Sequence, residues 1–69
     1  MSESVYKVIE LIGTSETSWE EAAKVALERA NKTLKDLRVA EVTSMDVKLE
    51  DGKVTAFRTK LSVSFKYLD

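Results

Sequence analysis

An Asp51-Gly52 pair stands between two runs of alternating apolar and polar residues, Arg38 to Glu50 and Lys53 to Asp69. Few short sequences constrain a chain more. A two-residue hairpin turn of the favoured type needs positive φ at both positions, and Asp-Gly supplies it at low steric cost. Counting outward from that turn places Glu50 opposite Lys53, Met45 opposite Arg58, Val42 opposite Leu61 and Ala40 opposite Val63. One face of the hairpin is then expected to carry Ala40, Val42, Ser44 and Asp46 with Phe57, Thr59, Leu61, Val63 and Phe65. The other carries Val39, Glu41, Thr43, Met45, Val47 and Leu49 with Val54, Ala56, Arg58, Lys60, Ser62 and Ser64. Neither face is wholly polar, so both need cover.

The rest of the chain is short. Its 69 residues are expected to form a single domain, 1–69. A core of this size contributes only roughly 3 to 5 kcal/mol and usually needs a staple. With no cysteine there is no disulfide, and with no histidine the usual zinc and iron ligand sets and the commonest general base are missing. Self-association is the remaining staple. Eleven basic and twelve acidic residues give a net charge of -1, which does not point to nucleic acid. The start, Met1-Ser2-Glu3-Ser4, has no signal-peptide character, and no apolar run reaches the roughly 20 residues of a membrane span. A cytoplasmic location without membrane contact is expected.

Ser4 to Ile12 alternates with apolar residues on both sides: Val5, Ile9 and Leu11 with Lys7 on one, Tyr6, Val8 and Ile12 with Glu10 on the other. Such a strand is expected to be covered on both faces, and Gly13-Thr14-Ser15 is expected to end it. Ser18 with Glu21 three residues later forms a capping box that opens a helix. Trp19, Ala22, Ala23, Ala26, Leu27, Ala30, Leu34 and finally Leu37 mark its apolar stripe, while Lys24, Glu28, Arg29, Lys32 and Lys35 lie elsewhere. Lys35-Asp36-Leu37-Arg38 is the exit into the hairpin. A single helix covers only one face of a three-stranded sheet. The face bearing Val39, Met45, Val47, Leu49 and Val54 is therefore expected to be covered by another subunit.

These segments together resemble the dodecins. The likeness is carried by Val5-Tyr6-Lys7-Val8-Ile9-Glu10-Leu11 running into Ile12-Gly13-Thr14-Ser15, by Ser18-Trp19-Glu20-Glu21-Ala22-Ala23, by Ala26 to Thr33, and by Ala40-Glu41-Val42. It implies an α+β fold, β-α-β-β, with a three-stranded antiparallel sheet partly wrapped around one helix and assembled as a hollow homododecamer. The implied role is binding and storing or buffering a small ligand, a flavin such as riboflavin or FMN.

Two positions depart from the flavin-binding pattern. The tryptophan that stacks on the isoalloxazine ring in flavin-binding members is Val39 here, and the glutamine that meets the ring edge is Arg58. Stacking on an aromatic is worth roughly 1 to 3 kcal/mol per ring, so losing two twofold-related contacts weakens binding by roughly ten- to ten-thousand-fold. Within the family the chain looks most like the calcium dodecin branch, which shares the valine. That likeness implies a shell binding calcium in place of flavin.

The candidate ligand-binding residues at family positions are Val39, Met45 and Arg58. For Arg58 the plainer role is a partner for Glu41 or another carboxylate; for Val39 and Met45 it is interface packing. Asp46, Glu50 and Asp51 are the best local carboxylates for a hard cation such as calcium, set against a role as solvated charge at a hairpin tip. A symmetry axis could also complete a site from copies of one carboxylate. Trp19 reads as packing at the first helical turn, and Gly13-Thr14-Ser15 lacks the lysine of a phosphate-binding loop. Without Cys or His, and without a carboxylate pair in an apolar setting, no enzyme is expected. The expected partners are the chain itself and a small molecule or ion; the rival reading is a purely structural assembly with no physiological ligand.

Overall fold

The computed structural model describes residues 3–34 and 37–67. Along them run β1 (Tyr6–Ser15), α1 (Trp19–Thr33), β2 (Leu37–Glu50) and β3 (Lys53–Lys66). The strands form one antiparallel sheet in the order β1-β3-β2, with β3 central. This is the expected β-α-β-β arrangement. The expected exit at Lys35-Asp36 lies outside the described residues, and Leu37 begins β2 instead of closing the helical stripe.

Local chemistry accounts for the elements. Asp51 and Gly52 have φ of 52° and 78°, both positive as a tight primed turn requires, and Glu50 pairs with Lys53. Ser18 caps α1 by accepting the Glu21 amide hydrogen at 3.0 Å. Glu20 and Glu21 sit in the first turn and Lys32 in the last, the arrangement the helix dipole favours. The helix closes with the Leu34 amide donating to the Ala30 carbonyl at 2.8 Å. Its buried residues are Ala22, Ala26 and Ala30, all small, so α1 can lie close to the sheet.

That closeness fixes Gly13, which the sequence placed in a turn. β1 instead continues through Ser15. A Cβ at Gly13 would overlap the Ala22 carbonyl oxygen and come within 2.9 Å of the Ala22 carbonyl carbon and 3.0 Å of Ala26 Cβ. Here glycine is needed for space, not for backbone torsion. The core beneath α1 consists of Leu61, Val63 and Ala26, flanked by Ile9, Leu11, Ala23, Leu27 and Leu37. The one buried polar side chain among the described residues, Thr59, donates its hydroxyl to the Trp19 carbonyl at 2.8 Å.

The register of the hairpin differs from simple counting in its middle third. Val42 does pair with Leu61 and Ala40 with Val63, but Arg58 lies opposite Asp46, and Met45 opposite Thr59. Two compensating bulges produce the offset. Thr55 is the extra residue on β3 and Thr43 the extra residue on β2. Each bulged threonine donates its hydroxyl across the ladder, Thr55 to the Lys48 carbonyl at 3.3 Å and Thr43 to the Lys60 carbonyl at 3.2 Å. Because side chains alternate with period two, each slip reverses the faces of the residues beyond it, so β2 from Ser44 to the turn and β3 from the turn to Val54 stand on the opposite face from simple counting, while Ala56 to Lys60 keep theirs. Ser44 and Asp46 therefore join the outer face, away from α1. Met45, Val47, Leu49 and Val54 join the inner face, correcting the expectation that they lie opposite the helix.

The helix lies over β1 and β3 and scarcely reaches β2. Much of the inner face of the hairpin extends beyond it, leaving Met45, Leu49 and Val54 more than half exposed. The radius of gyration is 14.3 Å, against about 11 Å for a compact chain of this length. Its accessible surface, 5472 Å² for 7.8 kDa, exceeds the about 4,400 Å² of a compact monomer by roughly a quarter. No helix among the described residues is long and apolar enough to cross a membrane.

Candidate functional site

The outer face of the sheet collects most of the candidate residues. In the antiparallel ladder, directly opposed residues share a face. Pairing thus aligns Thr14, Arg58 and Asp46, then Ile12, Lys60 and Ser44, then Glu10, Ser62 and Glu41, then Val8, Ser64 and Val39. The Arg58 guanidinium grips the Asp46 carboxylate with two hydrogen bonds, Nε to Oδ1 at 2.7 Å and Nη2 to Oδ2 at 2.8 Å. This fork is the strong, planar form of the charge-assisted bond. It holds the Asp46 carboxyl below its ordinary pKa, against the opposing effect of desolvation, with the charges of Arg58 and Lys60 assisting. The same bond raises Arg58. Ile12, Ser44 and Lys60 surround the pair in a shallow depression of about 60 Å³.

Asp46 is held from its backbone as well. Trp19, at the first turn of α1, donates its indole N–H to the Asp46 carbonyl at 3.0 Å. Its ring meets Phe57 edge-on, with centroids 5.0 Å apart at 72°, a favourable aromatic geometry. Trp19 thereby ties the helix to the bulged part of the hairpin, a packing role in place of a ligand platform. Simple counting concealed the Asp46–Arg58 pair. The available signal was an acid and a base one register step apart, with threonines at both ends of the shifted segment.

The three ligand-binding candidates do not meet within one chain. Val39 and Arg58 share the outer face as expected, but Val39 lies opposite Ser64, six residues along β3 from Arg58, or about 20 Å. Val39 is 62% exposed. Met45 is on the inner face. The three carboxylate candidates are also apart: Asp46 is bound to Arg58, Glu50 lies 3.7 Å from Lys48, and Asp51 occupies the turn. Among the described residues no group of three or more Asp, Glu, His or Cys is placed to hold a metal ion. A calcium ion takes six to eight oxygen ligands, more than any carboxylate cluster among the described residues of one copy offers. The Gly13-Thr14-Ser15 segment, in strand conformation, forms no phosphate loop; Ser15 Oγ accepts the Thr17 amide hydrogen at 2.9 Å.

Comparison with known proteins accords with this architecture. The sequence pattern of the Dodecin family matches residues 5–68. Calcium dodecin of Mycobacterium tuberculosis is 55% identical over 64 residues, covering 91% of this chain and 89% of that protein. Its crystal structure, described as having a calcium-binding site, superposes with a TM-score of 0.84 at 52% identity, covering 94% of this chain and 93% of that one. The structure of dodecin from Streptomyces coelicolor superposes with a TM-score of 0.93 at 35% identity, covering 100% of this chain and 99% of that one. With a family pattern spanning nearly the whole sequence and the same β-α-β-β subunit in solved relatives, this chain belongs to the dodecin family.

Proposed function

We propose that the chain forms a hollow homododecameric shell that binds and buffers calcium ions, with flavin binding lost or weakened, and that it is not an enzyme. One observation carries the reading: the family's stacking position on the outer face holds no aromatic ring. Val39 is a small aliphatic at the stacking position, Arg58 is held by Asp46, and Trp19 is engaged with Phe57 and the Asp46 carbonyl. The 55% identity to a protein named calcium dodecin supports an ionic ligand. The exposed apolar side chains and the excess surface of the single chain support assembly.

Since no carboxylate cluster among the described residues of one chain offers enough oxygen ligands, the calcium ligands come from several copies meeting near an axis. Glu50 and Asp51 at the hairpin tip are the candidates, with Asp46 available only if Arg58 releases it. Native mass spectrometry of the purified protein, repeated after adding calcium chloride and after adding FMN, tests the reading. Twelve subunits with calcium-sized additions, reduced in Glu50→Gln and Asp51→Asn variants, are expected. Retained FMN would overturn the choice of ligand, and a monomer would overturn the shell.

A further inference from the structure

The hairpin tip carries a reactive pair that ligand binding leaves unused. Of the four aspartates, Asp51 alone is followed by glycine; Asp36 precedes Leu37 and Asp46 precedes Val47. A glycine amide has no Cβ beside it to hinder its approach to a carboxyl carbon, whereas a branched side chain crowds that approach. Gly52 is exposed, and nothing lies within 4 Å of a Cβ built there. Asp51 is exposed as well, and among the described residues no ion pair within 4.0 Å engages its carboxylate. Asp46, by contrast, lies within β2 with its carboxylate in the Arg58 fork. The tip is also weakly tied to the rest of the fold. The helix scarcely reaches β2, Leu49 and Val54 beside the turn are 59% and 52% exposed, and the ladder slips between Lys48 and Leu49. Few buried apolar contacts and an interrupted ladder mark a segment that opens locally at low cost.

We propose that Asp51 is a site of spontaneous isomerisation to isoaspartate, and that calcium on its carboxylate slows the conversion. When the tip opens, rotation about the Asp51 Cα–C bond brings the Gly52 nitrogen onto Asp51 Cγ. An N–Cγ bond forms, the amide proton is lost, and one carboxyl oxygen leaves as water, giving a five-membered succinimide. Water then adds at one of the two ring carbonyls. Addition at Cγ breaks the N–Cγ bond and restores aspartate. Addition at the main-chain carbonyl carbon breaks its bond to the Gly52 nitrogen, so the chain now runs through Cγ and the free carboxylate sits on Cα. One water leaves and one returns without redox change, and the mass is unaltered. The product has one more carbon in the main chain of a turn built on two residues of positive φ, and its carboxylate stands one carbon closer to the backbone. The effect of calcium rests on the calcium reading: a carboxylate coordinating the ion is held away from the amide and keeps both oxygens. Calcium-free copies then lose a candidate ligand with time, and loaded copies retain it.

The test is incubation of the full chain at neutral pH for several weeks, with the chelator EGTA or with calcium chloride at equal ionic strength. Proteolysis and electron-transfer mass spectrometry then distinguish the two linkages at each aspartate. In EGTA, isoaspartate is expected to accumulate at Asp51 and not at Asp46, which serves as the control within the same chain. Calcium at about ten times its dissociation constant leaves roughly a tenth of the carboxylates free and should slow accumulation roughly tenfold. The Asp51→Glu variant, whose longer side chain would have to close a six-membered ring, should lose the product. No isoaspartate at Asp51 in EGTA would overturn the proposal and leave the calcium reading standing. Equal rates in both arms, with calcium found bound by native mass spectrometry, would overturn the slowing by showing that Asp51 is not a ligand. Equal rates with no calcium bound would overturn the calcium reading and the slowing with it, while the isomerisation stands.

Discussion

Replacing Gly13 by alanine tests the idea that the helix sits as close to the sheet as backbone allows. The added Cβ would overlap the Ala22 carbonyl oxygen and stand 3.0 Å from Ala26 Cβ. These neighbours are helix backbone and a methyl with no rotamer to yield, so α1 must shift. Overpacking ordinarily costs roughly 1 to 3 kcal/mol, and a backbone obstacle puts this case at the upper end. Alanine also restricts the unfolded chain, returning roughly 0.4 to 1 kcal/mol. The net loss is about 2 kcal/mol or more, a large share of the roughly 3 to 5 kcal/mol that a core this size provides. Gly52→Ala is the control. Nothing lies within 4 Å of a Cβ there, but φ is +78°, and a left-handed residue costs roughly 1 to 2 kcal/mol before the same entropic return. Thermal unfolding by circular dichroism at one fixed protein concentration compares the two, concentration mattering because association shifts the midpoint. At roughly 4 to 8 °C per kcal/mol, Gly13→Ala should melt about 8 to 16 °C low or worse, and Gly52→Ala, from no change up to about 13 °C low, should always melt above it under the same conditions. A Gly13→Ala protein melting at or above the Gly52→Ala protein would refute the reasoning.

Thr59→Val removes the hydroxyl that satisfies the Trp19 carbonyl in a buried setting; urea unfolding should show a loss of roughly 1 to 3 kcal/mol. Asp46 has a folded-state pKa below its unfolded one. Its contribution is therefore fully present above the unfolded value near 3.9 and fades as pH falls through the folded value; an Asp46→Asn variant should show a flatter melting temperature between about pH 5 and pH 2 than the native chain. The Val39→Trp, Arg58→Gln double variant should gain flavin binding by roughly tenfold or more, from roughly 1 to 3 kcal/mol per stacked ring. Titration of flavin fluorescence reads it, and an unquenched signal would show that side chains at these two positions are not the missing element.

The fold was legible because its signals are local. Asp51-Gly52 demands positive φ whatever surrounds it, Ser18 and Glu21 open a helix through their own hydrogen bond, and the alanine spacing marks the buried stripe. The candidate site was legible only in part. Val39 and Arg58 fall on one face under either register, since β3 alternates without a bulge from Arg58 to Ser64, the partner of Val39. Inside that segment, Ser44 to Leu49 alternates acceptably in both registers, so the sequence does not choose between them. The correct choice pairs Asp46 with Arg58, places Val47 beside Phe57, and lets Trp19 reach the Asp46 carbonyl.

The amino-acid order by itself determined the turn, the helix start and the succession of elements, because each depends on groups a few residues apart. Only the tertiary structure decided the face on which Met45, Asp46 and Val54 stand and why Gly13 must lack a side chain. Those outcomes depend on α1 resting on β1 and β3: the Gly13 contact involves residues nine and thirteen positions away, and the Trp19 bond to Asp46 spans 27. Contacts of that separation exist only once the chain has closed, and their gain offsets the unpaired residue that each bulge leaves in the ladder.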